Sequence, residues 1–213
     1  MSRPRLSDEV ATHVREQVIS GALAAGTFIR PERVAEELDV SATPAREGLL
    51  SLRSEGFLEV VPRRGFVVLP LSDKDIRDTF DAQGLLGGEL AARAAAAATP
   101  ELVADLTALQ ERLRYAAEEG DLDRVEQLNF EFHRAVYRHA DAPKISWLLG
   151  ATLGYAPRRQ WASIEGWPAL TLHDHEDILD ALRRKDPDAA REAMSRHIVE
   201  AGRALLAHRA TVS

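Results

Sequence analysis

The stretch from Val40 to Glu59, VSATPAREGLLSLRSEGFLE, decides the fold of the first part of this chain. Ser41 is a favourable helix N-cap, and Pro44 is tolerated in the first turn because the N–H it lacks would have no partner there. One helical face carries the small and apolar side chains of Ala45, Gly48, Leu49 and Leu52. The pattern predicts an amphipathic helix that ends near Gly56.

A shorter helix is predicted just upstream, over residues 31–38 (PERVAEEL), with residues 39–41 as the tight turn between the two. Two short helices joined by a few residues are typical of a helix-turn-helix, whose second helix enters the DNA major groove. Residues 6–20 predict a further amphipathic helix, with Ser7 as its N-cap.

Two β-prone runs follow, at residues 57–61 and 66–69, separated by the basic turn Pro-Arg-Arg-Gly at 62–65. They predict a hairpin, the wing of a winged helix. A helix-turn-helix pattern alone is weak evidence, because many helical hairpins share it, but the basic hairpin at this spacing makes DNA binding a strong prediction. We expect Arg46 to contact a base edge and Arg64 to contact the backbone or the minor groove. The full set of predicted DNA contacts is Arg30, Arg33, Ser41, Thr43, Arg46, Arg64 and Gly65.

The net charge is −7 over 213 residues, and it is unevenly distributed. Residues 1–70 carry nine basic and ten acidic side chains, so nearly all of the acidic excess lies in residues 71–213. A near-neutral domain binds DNA when its arginines converge on one face, although a single copy binds weakly. We therefore expect a homodimer on an inverted-repeat operator in double-stranded DNA.

Several protein classes are excluded by composition. The absence of cysteine excludes disulfides and thiolate metal sites. The first ten residues, MSRPRLSDEV, do not form the apolar core of a secretory signal, and the run at residues 94–98 is far too short to span a bilayer. We expect a cytoplasmic protein with no membrane partner.

Beyond residue 70 the pattern is helical throughout. Six helices are predicted, at residues 72–98, 100–119, 122–139, 145–160, 170–185 and 187–210. Short connections between them predict an antiparallel bundle of six to seven helices. The fold class is therefore mainly α, with a DNA-binding winged helix at 1–70 and an all-α domain for effector and metal binding and for dimerisation at 71–213. Gly84, Gly87 and Gly88 lie inside the first bundle helix, where we favour close helix–helix approach over a bound ligand.

The bundle also carries a possible metal site. Asn129 and His133 are four residues apart and share a helix face, while His175 and His197 come level across the turn at residues 186–187. Three imidazoles and one amide or water suit a divalent ion, with zinc or nickel expected, although bundles also bury structural histidines. The remaining histidines, His13, His139, His173 and His208, are predicted to lie at the surface or at helix ends.

Four segments resemble the GntR-type transcriptional regulators, in particular the FadR-like subfamily with an all-helical effector-binding (FCD) domain. They are residues 40–68 (VSATPAREGLLSLRSEGFLEVVPRRGFVV), 129–133 (NFEFH), 174–182 (DHEDILDAL) and 190–198 (AREAMSRHI). The resemblance implies a homodimeric, ligand-responsive repressor or activator. It also implies a metal held by one Asp or Asn and three His, here Asn129, His133, His175 and His197, with a small carboxylate or other anionic effector completing the coordination.

The chain departs from the family pattern at several positions. Family members usually carry arginines where this chain has Glu32 and Ala42, so we expect a different base readout. Gln83 replaces the arginine that holds the effector's carboxylate, and Gly87 replaces a glutamate; we expect Gln83 to donate a hydrogen bond to the anion. Asn129 in place of Asp leaves the metal's charge uncancelled, so the site should hold metal less tightly and attract an anion more strongly.

Three alternatives to an effector-sensing regulator remain open at this point. The nearest is a metal-ion sensor with no organic effector. An enzyme is conceivable because a three-histidine metal with open positions is also a catalytic pattern, but no general base accompanies it. The third is a purely structural histidine cluster.

Overall fold

The computed structural model of the protein describes residues 5–155, 161 and 164–212. Its chain divides between Ser72 and Asp73 into two structural units. The elements of the first unit are α1 (Leu6–Ile19), β1 (Phe28–Ile29), α2 (Pro31–Glu37), α3 (Ala42–Ser54), β2 (Leu58–Val61) and β3 (Gly65–Val68). The predicted winged helix-turn-helix is confirmed, with α2 and α3 as the two helices and β2 and β3 as the wing.

The α1 and α3 helices pack closely in this unit. A Cβ atom at Gly48 would lie 2.7 Å from the carbonyl oxygen of Ser7, so only glycine allows this approach. Ser7 is therefore inside α1, and the prediction that it caps the helix was wrong, because Arg5 holds the N-cap position. Ser41 does occupy the N-cap position of α3, although its side chain makes no capping hydrogen bond.

The sheet of the first unit has the antiparallel strand order β1-β3-β2. Val60 pairs with Phe66 within the wing, and Ile29 of β1 pairs with Phe66 from the other side. The β1 strand was not predicted, since two residues are too few to show an alternating pattern. It fixes the wing, because Gly65 has φ +98° and a Cβ there would lie 2.5 Å from the carbonyl oxygen of Ile29.

The second unit is helical in its described part. Its elements are α4 (Asp73–Ala96), α5 (Pro100–Glu118), α6 (Leu122–His139), α7 (Pro143–Thr152), a 3₁₀ turn (Leu153–Tyr155), α8 (Trp167–Arg183) and α9 (Pro187–Val212). The predicted helical bundle is confirmed. The helix predicted at 145–160 gives way to the 3₁₀ turn after Thr152, and its last residues, 156–160, lie outside the described ranges.

The α4 and α9 helices are in close contact through glycine. A Cβ at Gly88 would lie 2.8 Å from the carbonyl oxygen of Arg191, and one at Gly84 would lie 3.1 Å from Oγ of Ser195. The predicted close helix–helix approach at these glycines is confirmed. No helix in the described ranges is long and apolar enough to cross a membrane.

Candidate functional site

A groove of about 560 Å³ lies between α3 and the wing of the first unit. Five arginines line it: Arg30, Arg46, Arg53, Arg63 and Arg64. All five are exposed, and Glu32 is the one carboxylate among the lining residues. Within the described part of the chain, none of the five forms an ion pair. The near-neutral unit therefore concentrates its positive charge in one groove, which suits the phosphates and base edges of DNA.

The wing arginine is held in place by an aromatic ring. The guanidinium carbon of Arg64 lies 3.7 Å from the ring centroid of Phe28, a stacked cation–π contact. Phe28 belongs to β1, so the strand that was not predicted also orients a predicted DNA contact. Phe28 is 41% exposed and Arg64 is itself exposed, so the contact lies where a nucleic acid can reach it.

The structure brings four of the seven predicted DNA contacts to the groove, namely Arg30, Arg46, Arg64 and Gly65. Arg33, Ser41 and Thr43 are exposed but do not line it, and their DNA contacts stay predictions. Arg53 and Arg63 line the groove but were not among the predicted DNA contacts. Arg53 follows Arg46 by seven residues, or two helical turns, and that spacing could have identified it.

The second candidate site is a cluster of three histidines in the helical unit. His133, His175 and His197 each offer a ring nitrogen, and these nitrogens all lie within 4.8 Å of one another. The shortest separation is 3.1 Å, between Nε2 of His133 and Nε2 of His197. The structure thus brings together three of the four predicted metal ligands. His173, two residues from His175, is exposed and outside the cluster.

Two of the histidines are oriented by hydrogen bonds on their outer side. Nδ1 of His197 lies 3.1 Å from a carboxylate oxygen of the buried Asp174, which accepts its hydrogen. Nδ1 of His175 lies 3.1 Å from Oε1 of Gln110. Gln110 donates its own Nε2 hydrogen to the carbonyl oxygen of Leu172 at 2.8 Å, which fixes the amide so that Oε1 accepts. In both histidines Nε2 is left with a lone pair, as metal ligation requires.

Burial keeps the imidazoles of His133 and His175 neutral. It lowers the pKa of His133 and of His175 well below the ordinary value of 6.5, and the neighbouring His197 adds to both shifts. Nδ1 of His133 lies 3.4 Å from the hydroxyl of Tyr137, whose pKa is raised by burial, so the phenol stays protonated. Neutral imidazoles are the form that binds a metal ion.

Asn129, the fourth predicted ligand, lies one turn before His133 on α6. Its side-chain oxygen is buried and makes no hydrogen bond in the described part of the chain. Nε2 of His175 is likewise buried without a hydrogen-bond partner. A polar atom in that position is destabilising unless something binds it. The three imidazole nitrogens therefore suit a divalent ion such as zinc or nickel, and coordination by the Asn129 oxygen stays a prediction.

Gln83, predicted to contact an effector, is buried on α4. Its Nε2 donates a hydrogen bond to the carbonyl oxygen of Thr152 at 2.9 Å, which ties α4 to α7. The amide has a second N–H, so its contact with an anion stays a prediction. Sequence reasoning missed Gln110, Asp174 and Tyr137. Asp174 could have been noticed because it is adjacent to His175 in the sequence, and Tyr137 because it lies one helical turn after His133.

Comparison with known families identifies both units. Residues 6–68 match the bacterial regulatory proteins of the gntR family, and residues 78–200 match the FCD domain. The chain belongs to the GntR family of transcriptional regulators. Its C-terminal domain is an FCD domain, as the resemblance implied, and the protein is a DNA-binding regulator and not an enzyme.

The relatives of this regulator are similarly organised. The repressor RspR of Escherichia coli K12 is 26% identical over 92% of this chain and 86% of its own length. The regulator McbR of the same organism is 28% identical over 92% of this chain and 90% of its own. The solved structure of E. coli McbR/YncC superposes with a TM-score of 0.72 at 25% identity, covering 97% of this chain and 99% of that chain. The gluconate operon repressor of Bacillus licheniformis is 30% identical over 65% of this chain and 56% of its own length.

Proposed function

We propose that this protein is a repressor whose FCD domain holds a divalent metal ion and releases or retains DNA in response to a small anionic metabolite. Asn129, His133, His175 and His197 hold the ion, and zinc or nickel suits their imidazole nitrogens. The observation that carries the proposal is the convergence of three histidine ring nitrogens within 4.8 Å of one another.

The charge of the site supports an anionic effector. The three imidazoles and the amide are neutral ligands, and the Asp174 carboxylate behind His197 offsets only part of the ion's two positive charges, so an anion gains Coulomb energy in this buried site that water cannot supply. A carboxylate effector also agrees with one relative, a repressor of the gluconate operon, since gluconate is a carboxylate. The effector changes DNA affinity only by as much as its own affinity differs between the two states of the regulator.

The alternative is a metal sensor, in which the ion itself is the signal. It is favoured by Gln83 and Gly87, since they replace the charged pair expected for effector binding and Gln83 already bonds Thr152. In that case metal alone changes DNA affinity and small acids have no further effect.

Assembly is the second part of the proposal. A unit with a near-neutral charge gains useful affinity from two copies, so we propose a homodimer on an inverted-repeat operator. Sedimentation should give a dimer at micromolar concentration. A monomer that binds one half-site tightly contradicts this part.

The metal site is tested by elemental analysis and DNA binding together. Protein purified without chelators is incubated with zinc or nickel, and its affinity for a duplex chosen by in vitro selection is measured with and without acetate or gluconate. His175→Ala and His197→Ala should lose metal and effector response while metal-free DNA binding remains measurable. His173→Ala is the matched control, because His173 is exposed on the same helix as His175. This variant should keep both the bound metal and the effector response.

The outcomes separate the two functions. Stoichiometric metal with an acid-dependent change in DNA affinity supports the effector-sensing repressor. Metal-dependent DNA affinity that no acid changes supports the metal sensor. A native protein that takes up no stoichiometric metal shows that the histidines are structural, and the proposal then fails.

A further inference from the structure

A row of buried polar side chains runs along one face of α8. Trp167, Thr171 and His175 are spaced by four residues each, so they lie one helical turn apart on the same face. Trp167 is 3% exposed, and the other two are fully buried. The row begins at the histidine cluster and extends toward the start of the helix.

Every member of the row carries a polar atom without a partner. Five buried side-chain nitrogen or oxygen atoms in the described ranges make no hydrogen bond, and three of them are Nε1 of Trp167, Oγ1 of Thr171 and Nε2 of His175. Leaving such an atom unsatisfied is destabilising. Three of them on one helix face indicate a place where a bound molecule supplies the missing partners.

Thr171 differs from two other helical threonines, Thr79 and Thr107. Thr79 and Thr107 each donate their hydroxyl to the carbonyl oxygen four residues earlier, both at 2.7 Å. This is the ordinary way in which a helix satisfies a threonine. The hydroxyl of Thr171 makes no such bond, so it remains available to a ligand.

Aromatic rings enclose the far end of the row. Trp167 stacks on Trp161 with ring centroids 5.7 Å apart, and Trp161 meets the edge of Phe80 at 5.8 Å. The described residues include no buried lysine or arginine. Among the described residues, this end therefore offers aromatic rings and an indole N–H and no buried cation.

We propose that the effector extends from the histidine-bound metal along α8 and accepts hydrogen bonds from the Thr171 hydroxyl and the Trp167 indole N–H. This inference rests on the proposed function for its metal-bound end. It specifies the effector class as a carboxylate that also carries a neutral oxygen, a hydroxyl or a carbonyl, at some distance from the carboxylate. One helical turn is about 6 Å, which corresponds to a chain of three or four carbons.

The test compares two acids that differ by one hydroxyl, butyrate and 4-hydroxybutyrate. Calorimetric titration of the zinc-loaded protein should show about tenfold tighter binding of the hydroxy acid, the gain expected for one well-made hydrogen bond. Thr171→Val removes a donor while keeping the side-chain shape, and Trp167→Phe removes a donor together with one ring of the indole. Both should retain the full zinc content. Thr171→Val, one turn from His175, should reduce the ratio of the two affinities toward one, and Trp167→Phe, two turns away, should reduce it less.

A stability measurement tests the row without any ligand. Thr171→Val removes an unsatisfied hydroxyl, so the melting temperature of the metal-free protein should stay the same or rise. Thr107→Val is the matched control. It removes a hydroxyl that has a hydrogen-bond partner, so it should lower the melting temperature.

Three results would overturn the inference: equal affinities of the two acids, no binding of the hydroxy acid, or a lowered melting temperature in Thr171→Val. Each is distinct from failure of the proposed function, which would appear as absence of zinc from the unmodified protein.

Discussion

Replacement of Gly65 by alanine tests how the wing is built. Gly65 has φ +98°, and an added Cβ would lie 2.5 Å from the carbonyl oxygen of Ile29. Gly26 is the matched control, because it has φ +84° in the same unit and a Cβ there would meet nothing within 4 Å. Both substitutions incur the left-handed backbone cost of about 1–2 kcal/mol.

The structure adds a second cost at Gly65 alone. The atom that the new methyl group meets belongs to the backbone of β1, which cannot move without weakening its pairing with β3 at Ile29 and Phe66. Loss of one or two net hydrogen bonds costs about 1 kcal/mol each. We expect Gly65→Ala to lower the free energy of unfolding by about 3 kcal/mol and Gly26→Ala by about half of that. DNA affinity should fall in Gly65→Ala, since the Arg64 contact with Phe28 depends on the same pairing.

Two probes make the measurement specific. Urea unfolding followed by far-UV circular dichroism detects both units, whereas fluorescence detects only the second, because all three tryptophans (Trp147, Trp161 and Trp167) follow residue 72. The fluorescence transition should be unchanged in both variants. Equal losses of stability in Gly65→Ala and Gly26→Ala would refute the argument from the β1 contact.

Two further predictions concern the DNA contacts and the histidines. Arg46→Ala should cost about 1–3 kcal/mol of operator binding and relax specificity at one position per half-site, while Arg64→Ala should weaken binding to all sequences and reduce its salt dependence. Anisotropy titrations against selected and scrambled duplexes check both variants. An Arg46→Ala protein with unchanged affinity and specificity would rule out the assignment of Arg46 to a base edge. With a chelator present, the free energy of unfolding should fall as the pH drops below 6.5, because His133 and His175 bind protons in the unfolded state but not when they are buried in the folded state. Each histidine contributes a slope of about 1.4 kcal/mol per pH unit. Urea unfolding between about pH 7.5 and 5.5 should show a smaller dependence of the unfolding free energy on pH in His175→Gln. A slope that is the same with and without His175 contradicts this second prediction.

Much of this protein follows from local sequence alone. The apolar spacing in α3, the short turn before it and the basic hairpin after it involve neighbours in the chain, so they predict the winged helix-turn-helix directly. The same holds for Asn129 and His133, which share a helix face because they are four residues apart. The level placement of His175 and His197 on consecutive helices, across the turn at residues 186–187, also needed only the assumption of an antiparallel hairpin.

Other features were decided by the tertiary structure. The β1 strand is two residues long, and its role is visible only where it pairs with β3 and constrains Gly65. Gln110 lies 65 residues from His175 in the chain, yet it fixes which ring nitrogen of that histidine faces the cluster. The unpartnered hydroxyl of Thr171 has no sequence signal either, since the residues around it form an ordinary helical pattern. These contacts depend on how each helix is rotated about its axis against its neighbours, and that rotation is set by the packing of the whole core and not by any local pattern.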